Sequence, residues 1–326
     1  MRADLALIGY GNVGKRFTRL LEEQRARLAA DHGLSCGIVA TATKRHGSIA
    51  GGQPCADAFA AISHLATSDA DLRVVVETTT LDIALGEPAV SHAHAAIAAG
   101  CHVVTANKGP VAFAYGPLRD AAAAAGVSFL FEGAVMDGVP VFNLVRETMP
   151  CARVNGFEGV VNTTTNHILT EMERGAPFAE ALAKMQAEGI AEADPSLDVD
   201  GWDAAAKTAA LANVLMGARI TPHEVARTGI SEATGDLARS ARARGRRIKL
   251  VASAHRSPDG TLSPRVGPRE LPGDHLLAGL DGDANALILE TDLLGRIAIC
   301  QLSSGLTQTA YALLTDLISI ARNHRP

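Results

Sequence analysis

The sequence has no excess of positive charge: 30 Lys and Arg against 35 Asp and Glu give a formal net charge of −5. That removes the electrostatic footprint of a nucleic-acid binder. No apolar run reaches the length of a membrane span. Met1 leads straight into a strand-like segment rather than a secretory leader, so a cytoplasmic protein is expected. The five cysteines (Cys36, Cys55, Cys101, Cys151 and Cys300) are odd in number and include no C-x-x-C pair. Neither a disulfide framework nor a zinc site is implied. Tryptophan occurs once, as Trp202. Hydrophobic residues make up 47% of the 326 positions, which suits two domains with a large core. A basic run at Arg242–Lys249 (RARGRRIK) reads as a solvated helix end rather than an anion site.

Leu5 to Ile8 form a short apolar run of the kind found in buried parallel strands. Gly9, Gly11 and Gly14 follow in G-x-G-x-x-G spacing, with Asn12 and Val13 between them. An amphipathic helix comes next: Val13, Phe17, Leu20, Leu21 and Leu28 face inward, and Gly33 stands where a C-cap belongs. One glycine makes the tight turn, one lets backbone approach a pyrophosphate, and one lets helix pack on strand. The helix N-terminus then offers free N–H groups to phosphate. Strand, glycines and helix in this order predict a dinucleotide-binding start.

The second strand is expected at Ile38–Thr43, with Lys44, Arg45 and His46 after it. Folds that take NAD place an acid near this point for the ribose 2′-OH. An ammonium and a guanidinium suit a 2′-phosphate instead. NADP is therefore the expected cofactor, with NAD as the alternative; a solvated basic turn is the plainer reading of the same residues. Further strands are expected at Leu72–Glu77, Cys101–Thr105 and Val127–Phe131, and helices at Glu87–Ala99 and Gly116–Ala125. Such alternation predicts an open parallel sheet. Ligands then lie beyond the strand ends, where Glu77, Thr78, Thr79, Asn107 and Lys108 fall.

The segment Ala191–Lys207 (AEADPSLDVDGWDAAAK) packs five acids and one lysine around Pro195 and Gly201. Its first half reads as a loop and its second as an Ala-rich helix. Asp203 and Lys207 are four apart and leave one helix face. Acids feeding a helix with an Asp/Lys pair suit a small amino acid, the acids meeting its ammonium and the lysine an oxygen. Charge pattern alone favours a solvated loop with a surface ion pair.

Taken together, GYGNVG (9–14), TANKGPVA (105–112), FEGAVMDGVPV (131–141), GVVNTTTNHIL (159–169), the acidic segment and SGLTQTAYALLTDL (304–317) resemble the homoserine dehydrogenase family over nearly the full length. The resemblance implies interconversion of L-homoserine and L-aspartate 4-semialdehyde with NAD(P), at the branch toward threonine, methionine and isoleucine. It implies that Lys207 contacts the reacting oxygen and that Lys108 takes part in proton transfer. Glu192, Asp198 and Asp203 would hold the substrate ammonium, and Asn162, Thr163 and Thr164 would line the substrate loop. Gly305 would join Thr78, Thr79 and the glycine turn in cofactor contacts. A monovalent cation such as sodium would sit at Glu132, Val135, Asp137 and Val139, mostly on backbone carbonyls. Reduction needs a proton for the nascent alkoxide, and an ammonium beside that oxygen supplies it when a second cation and burial lower its pKa.

Some positions depart from the family pattern. The usual N-G-T-x-N-Y is Asn162-Thr163-Thr164-Thr165-Asn166-His167, and the glycine-rich loop near the C-terminus is reduced to Ser303-Ser304-Gly305. A left-handed backbone at Thr163 would carry a cost that glycine avoids. The chain ends at Pro326, so the regulatory small-molecule domain of longer relatives is not expected.

The expected architecture is a Rossmann-type, doubly wound parallel sheet plus an α+β substrate and dimerisation domain with an antiparallel sheet. The boundaries are 1–132 with 303–326 for the first domain, whose C-terminal helix returns to it, and 133–302 for the second. Strands of the second are expected near Ile248–Ala254, Leu262–Val266, Ala286–Glu290 and Ile297–Leu302. Relatives pair through this domain, so a homodimer is expected. Two alternatives stay open: a dehydrogenase of another small amino or oxo acid, and a non-catalytic dinucleotide sensor. A thioester-forming semialdehyde dehydrogenase needs a nucleophilic cysteine with a base, and neither Cys101 nor Cys151 has one in prospect.

Overall fold

Small and branched apolar residues fill both faces of the first strand, and that sets the layout of the N-terminal half. The computed structural model describes residues 1–44 and 47–324. In β1 (Arg2–Ile8), Ala3, Leu5, Ala6, Leu7 and Ile8 are all buried, as a strand covered on two sides requires. The chain continues through α1 (Asn12–Glu23), α2 (Arg25–His32), β2 (Ser35–Thr43), the short β3 (Gly47–Ala50) and β4 (Gln53–Cys55), and α3 (Ala58–Ala66). It proceeds through β5 (Leu72–Glu77), α4 (Ala89–Ala98), β6 (His102–Thr105), α5 (Gly109–Ala125), β7 (Phe129–Leu130) and α6 (Val141–Thr148). Two compact units result, residues 1–144 with 305–326, and residues 145–304.

The first unit holds a seven-stranded sheet in the order β4-β3-β2-β1-β5-β6-β7. The run from β2 to β7 is parallel. β3 and β4 add an antiparallel edge, a departure from a purely parallel sheet. With β2 on one side of β1 and β5 on the other, the winding reverses at β1, and a ligand crevice belongs beyond the ends of β1 and β5. The last helix, α12 (Leu306–Asn323), joins this unit: Ala310, Leu313, Leu314, Leu317 and Ile320 share a core with Leu5, Phe17 and Leu20. One helix is longer than its sequence suggests. α5 begins at Gly109 rather than Gly116 and kinks at Ala114, where φ is −138°. Pro117 lies inside it, and a proline lacks the N–H and crowds the carbonyl four residues back.

The second unit contains β8 (Val154–Val160), α7 (Thr163–Glu173), α8 (Phe178–Ala187), the single turn α9 (Ser196–Val199), α10 (Trp202–Leu215), β9 (Ala226–Arg227) and α11 (Glu232–Ala243). Four longer strands complete it: β10 (Arg246–Arg256), β11 (Leu262–Pro272), β12 (Asn285–Thr291) and β13 (Arg296–Gln301). The sheet order is β13-β12-β8-β10-β11-β9, antiparallel except for β9 on β11. The four expected strands are present, and a fifth, β8, runs through the middle. Its sequence VNGFEGV has Asn, Glu and two Gly, residues depleted from strands, so propensity conceals it. Close packing explains the glycines: a Cβ on Gly159 would stand 2.6 Å from the Ala286 carbonyl oxygen. Among the described residues no helix is long and apolar enough to cross a membrane.

Replacing Gly159 with Ala is expected to destabilise the second unit by about 1–3 kcal/mol, the usual cost of forcing extra volume into a packed site. A urea titration checks it through a lowered midpoint; an unchanged midpoint would show that the β8–β12 approach is looser than described.

Candidate active site

In the first unit the glycine turn is built around backbone proximity. Gly9 has φ +91°, and a Cβ there would lie 2.7 Å from the Thr78 carbonyl. A Cβ on Gly14 would lie 2.8 Å from the Gly9 oxygen, while at Gly11 nothing comes within 4 Å. The turn is thus closed against the sheet and open on its outer side. α1 starts there with Gly11 as N-cap, no side-chain cap and no acid in its first turn. Asn12 and Val13 open the helix, and their N–H groups are the free donors that a pyrophosphate takes. Thr78 Oγ1 donates to the Gly9 carbonyl at 2.9 Å and ties the end of β5 to the turn. The residues fit a dinucleotide. Lys44 is exposed directly after β2; Arg45 and His46 lie outside the described residues. Gly305 is exposed at the N-cap of α12.

Behind that turn sits a buried carboxylate. Glu77 closes β5 with no exposed surface. It accepts from the Thr79 N–H at 3.1 Å, from the Thr79 hydroxyl, and from Thr105 Oγ1 at 3.2 Å. His92 Nδ1 lies 3.7 Å away. Asn107 continues the chain of bonds: its N–H donates to Thr105 Oγ1 at 2.9 Å and its Nδ2 to the Thr79 carbonyl at 3.0 Å. Its Oδ1 accepts from the Gly109 N–H at 2.8 Å, at the start of α5. Lys108, half-buried at the N-cap position of α5, is held in this turn. In the sequence Glu77 stands out only as an acid ending an apolar run; its function as a hub is a property of the fold.

The second unit gathers a different set. Asn162 is the N-cap of α7, where its Oδ1 accepts from the Thr165 N–H at 2.8 Å. Its Nδ2 donates to two carboxylates, Asp198 Oδ1 at 2.7 Å and Asp203 Oδ2 at 2.9 Å. Lys207 Nζ lies 3.2 Å from Asp203 Oδ2 and donates to the Val161 carbonyl at 2.5 Å. An ammonium has three donors, so one remains for a ligand oxygen. The side chains of Asp203 and Lys207 are about 16% and 15% exposed, which removes the surface ion-pair reading. Burial pushes the Asp198 carboxyl above the usual carboxylate range, and the Asp203 charge pushes it further; hydrogen bonds from Asn162 and Thr164 and the Lys207 charge oppose the rise. Two acids sharing one neutral amide, with a single ammonium beside them, have room for a second cation.

The expected substrate loop is in fact the first turn of α7. Thr163 and Thr164 are helical, so no left-handed backbone arises at Thr163. Thr163 Oγ1 accepts from Asn285 Nδ2 at 3.0 Å, and Thr164 is buried, its hydroxyl 3.4 Å from the Ile190 carbonyl. Glu192 stands apart: it is exposed, and its backbone carbonyl accepts from Gln186 Nε2 at 3.2 Å. The basic run also departs from its reading. Arg242 and Arg247 pair with Glu173 at the end of α7, and Lys249 is fully buried. Of the cysteines, Cys101 is buried and its thiol pushed up by that burial, while Cys151 is exposed with φ +66°.

At the turn expected to hold a cation, the Glu132 carboxylate accepts from the N–H groups of Phe142 and Asn143, at 2.9 and 2.6 Å. It thereby caps α6. The Val139 carbonyl accepts from the Val141 N–H, and Asp137, with φ +49°, accepts from Thr309 Oγ1 at 3.1 Å. Val135 is buried. Among the described residues no group of three or more His, Cys, Asp or Glu is arranged to hold a metal ion. A cation here would have to rely on carbonyl oxygens.

Asp203→Asn should bring the Asp198 carboxyl down toward the ordinary range, because the neighbouring charge that adds to the effect of burial is gone. Carbon NMR of the side-chain carboxyls against pH measures it; an Asp198 titration that does not move would mean burial alone sets it.

Family comparisons agree with this division of labour. The model described as homoserine dehydrogenase, NAD binding domain, matches residues 9–132, and the homoserine dehydrogenase model matches residues 140–318. The chain is 37% identical over 335 residues to a Pseudomonas canavaninivorans protein named NAD(+)-dependent homoserine dehydrogenase, covering 97% of this chain and 95% of that one. It is 36% identical to a homoserine dehydrogenase of Sulfurisphaera tokodaii, covering 98% and 99%. A solved homoserine dehydrogenase of Thiobacillus denitrificans superposes with a TM-score of 0.88 at 32% identity, covering 99% of this chain and 74% of that one. With both units matched in this way, the chain belongs to the homoserine dehydrogenase family.

Proposed function

We propose that the protein interconverts L-homoserine and L-aspartate 4-semialdehyde with a nicotinamide dinucleotide, in the branch that leads to threonine, methionine and isoleucine. The observation that carries this reading is the half-buried Asn162–Asp198–Asp203–Lys207 group, with Asn162 itself buried. A substrate ammonium beside Asp198 and Asp203 would supply the cation that this group lacks. Lys207 would then turn its remaining N–H to the substrate oxygen at the reacting carbon, stabilise negative charge there and hold the proton that oxygen needs. Lys108 is proposed to take part in proton transfer from its place at the end of β6. The dinucleotide, when bound, supplies the hydride chemistry. Fixing the substrate by its amine contributes the proximity part of catalysis. The alternatives, another small amino acid or a sensor without catalysis, are not favoured by any single feature of this site.

The cofactor preference stays a proposal as well. Lys44 supports a 2′-phosphate, and so NADP; the relative named NAD(+)-dependent weighs the other way. Lys44→Asp with Arg45→Ser should weaken NADPH and favour NADH, and an unchanged preference would remove the 2′-phosphate argument. For the cation turn, Glu132, Val135, Asp137 and Val139 are the residues to propose, mostly through backbone carbonyls, since the Glu132 carboxylate also accepts from two N–H groups. We further propose a cytoplasmic homodimer. β13 is an edge strand of its sheet among the described residues, and Leu302 just after it is 82% exposed; such edges are normally covered. Light scattering should give twice the chain mass.

The direct test is an assay of homoserine with each dinucleotide. Lys207→Ala should lower turnover at least ~10²-fold while dinucleotide binding stays intact, as for a group acting in the transition state. Turnover that hardly changes would end the proposed role.

A further inference from the structure

Beneath the helix that carries the site lies an ammonium that the chemistry above does not use. Lys249, on β10, is 1% exposed. Its Nζ donates to Asn166 Oδ1 at 2.9 Å and to the Leu280 carbonyl, with the Asp281 carboxylate 3.5 Å away. Burying a charge is costly unless it is fully partnered, so a lysine kept here marks a contact worth that cost. Burial and the Arg247 charge lower its pKa to about 8. The two bonds do not depend on the charge, because a neutral amine still has two N–H donors.

Asn166 passes this contact on. It lies four residues after Asn162, on the same face of α7. Its Nδ2 donates to the carbonyls of Gly282 and Ala284, at 3.0 and 3.3 Å. The same stretch reaches α7 twice more: Asn285 donates to Thr163, and Asp283 Oδ1 lies 2.9 Å from His167 Nε2. At the other end of α7, Glu173 is held by Arg242 and Arg247. Residues 280–285 are therefore fastened to the first two turns of α7, with Lys249 bonded to both partners at once. The turn so held is the one that presents Asn162 to Asp198 and Asp203.

We propose that Lys249 is a positioning residue for the substrate-binding turn: through Asn166 it fixes the start of α7, and so the place where Asn162 holds the two acids. This rests on the amine-holding role proposed for those acids. In Lys249→Met, hydrogen exchange of the amides in residues 163–166 and 282–285 should quicken at least ~10-fold, as expected when local opening no longer has to break the two buried hydrogen bonds that Lys249 makes. The homoserine KM should rise by a similar factor, with a smaller change in turnover and the dinucleotide Kd within about twofold. Asn166→Leu should give the same pattern, and the double variant should be little worse than either single one.

Unchanged exchange in these segments, or a rise spread evenly over residues 145–304, would overturn the proposal. If Lys249→Met does not fold, Asn166→Leu decides: unchanged exchange at the start of α7 and an unchanged KM would overturn it equally. A wild-type protein that does not turn over homoserine would sink the proposed function instead, and hydrogen exchange would still decide the positioning role.

Discussion

One side-chain amide, that of Asn162, bears the weight of the second unit's chemistry. Its oxygen caps α7, and its two N–H donors go to two different carboxylates. Burial disfavours the ionised form of Asp198, and the like charge of Asp203 adds to it, which together push the Asp198 carboxyl above the usual range. The Asn162 amide gives the largest relief, and Thr164 and the Lys207 charge add to it. None of them removes the excess of acid over base. The unit is therefore built to improve electrostatically when a small cation arrives, a form of preorganisation that a solvated acidic loop lacks.

The first unit solves a separate problem by separate means. Backbone closeness at Gly9 and Gly14, with an uncapped helix start, makes a surface for phosphate without any charged side chain. Deeper in, Glu77 fixes Thr79, Thr105 and, through Asn107, the turn that holds Lys108. A carboxylate so enclosed is tolerated because every bond it accepts comes from a group that the strand ends already place there. Each unit thus has a buried polar side chain, Glu77 in one and Asn162 in the other, that ties several segments together at a turn.

Local signals made the first unit legible: glycine spacing, short apolar runs and a C-cap glycine at 33, left-handed as required. The four-residue spacing of Asp203 and Lys207 also predicted their contact. Contacts between distant segments were not legible. Asn162 and Asp198 are 36 residues apart, and nothing in a polar run such as Asn162–Asn166 announces a helix start rather than a loop. β8 was hidden because its glycines serve close packing, not propensity. Lys249 was read as solvent-facing because a count of charges carries no information about what lies on top of them. Pro117 was a true local signal of a break: α5 kinks at Ala114, the expected helix from Gly116 follows the kink, and only the turns from Gly109 up to it went unread.

In the proposed function a cationic amine is received by the Asn162-linked acids. Calorimetric titration of homoserine in the acid range, repeated in two buffers of different ionisation enthalpy, tests it directly. An arriving ammonium should favour the ionised form of Asp198, so net proton release is expected on binding at pH values where Asp198 titrates, and its loss in Asp198→Asn. Binding with no proton release, or the same release from Asp198→Asn, would contradict it.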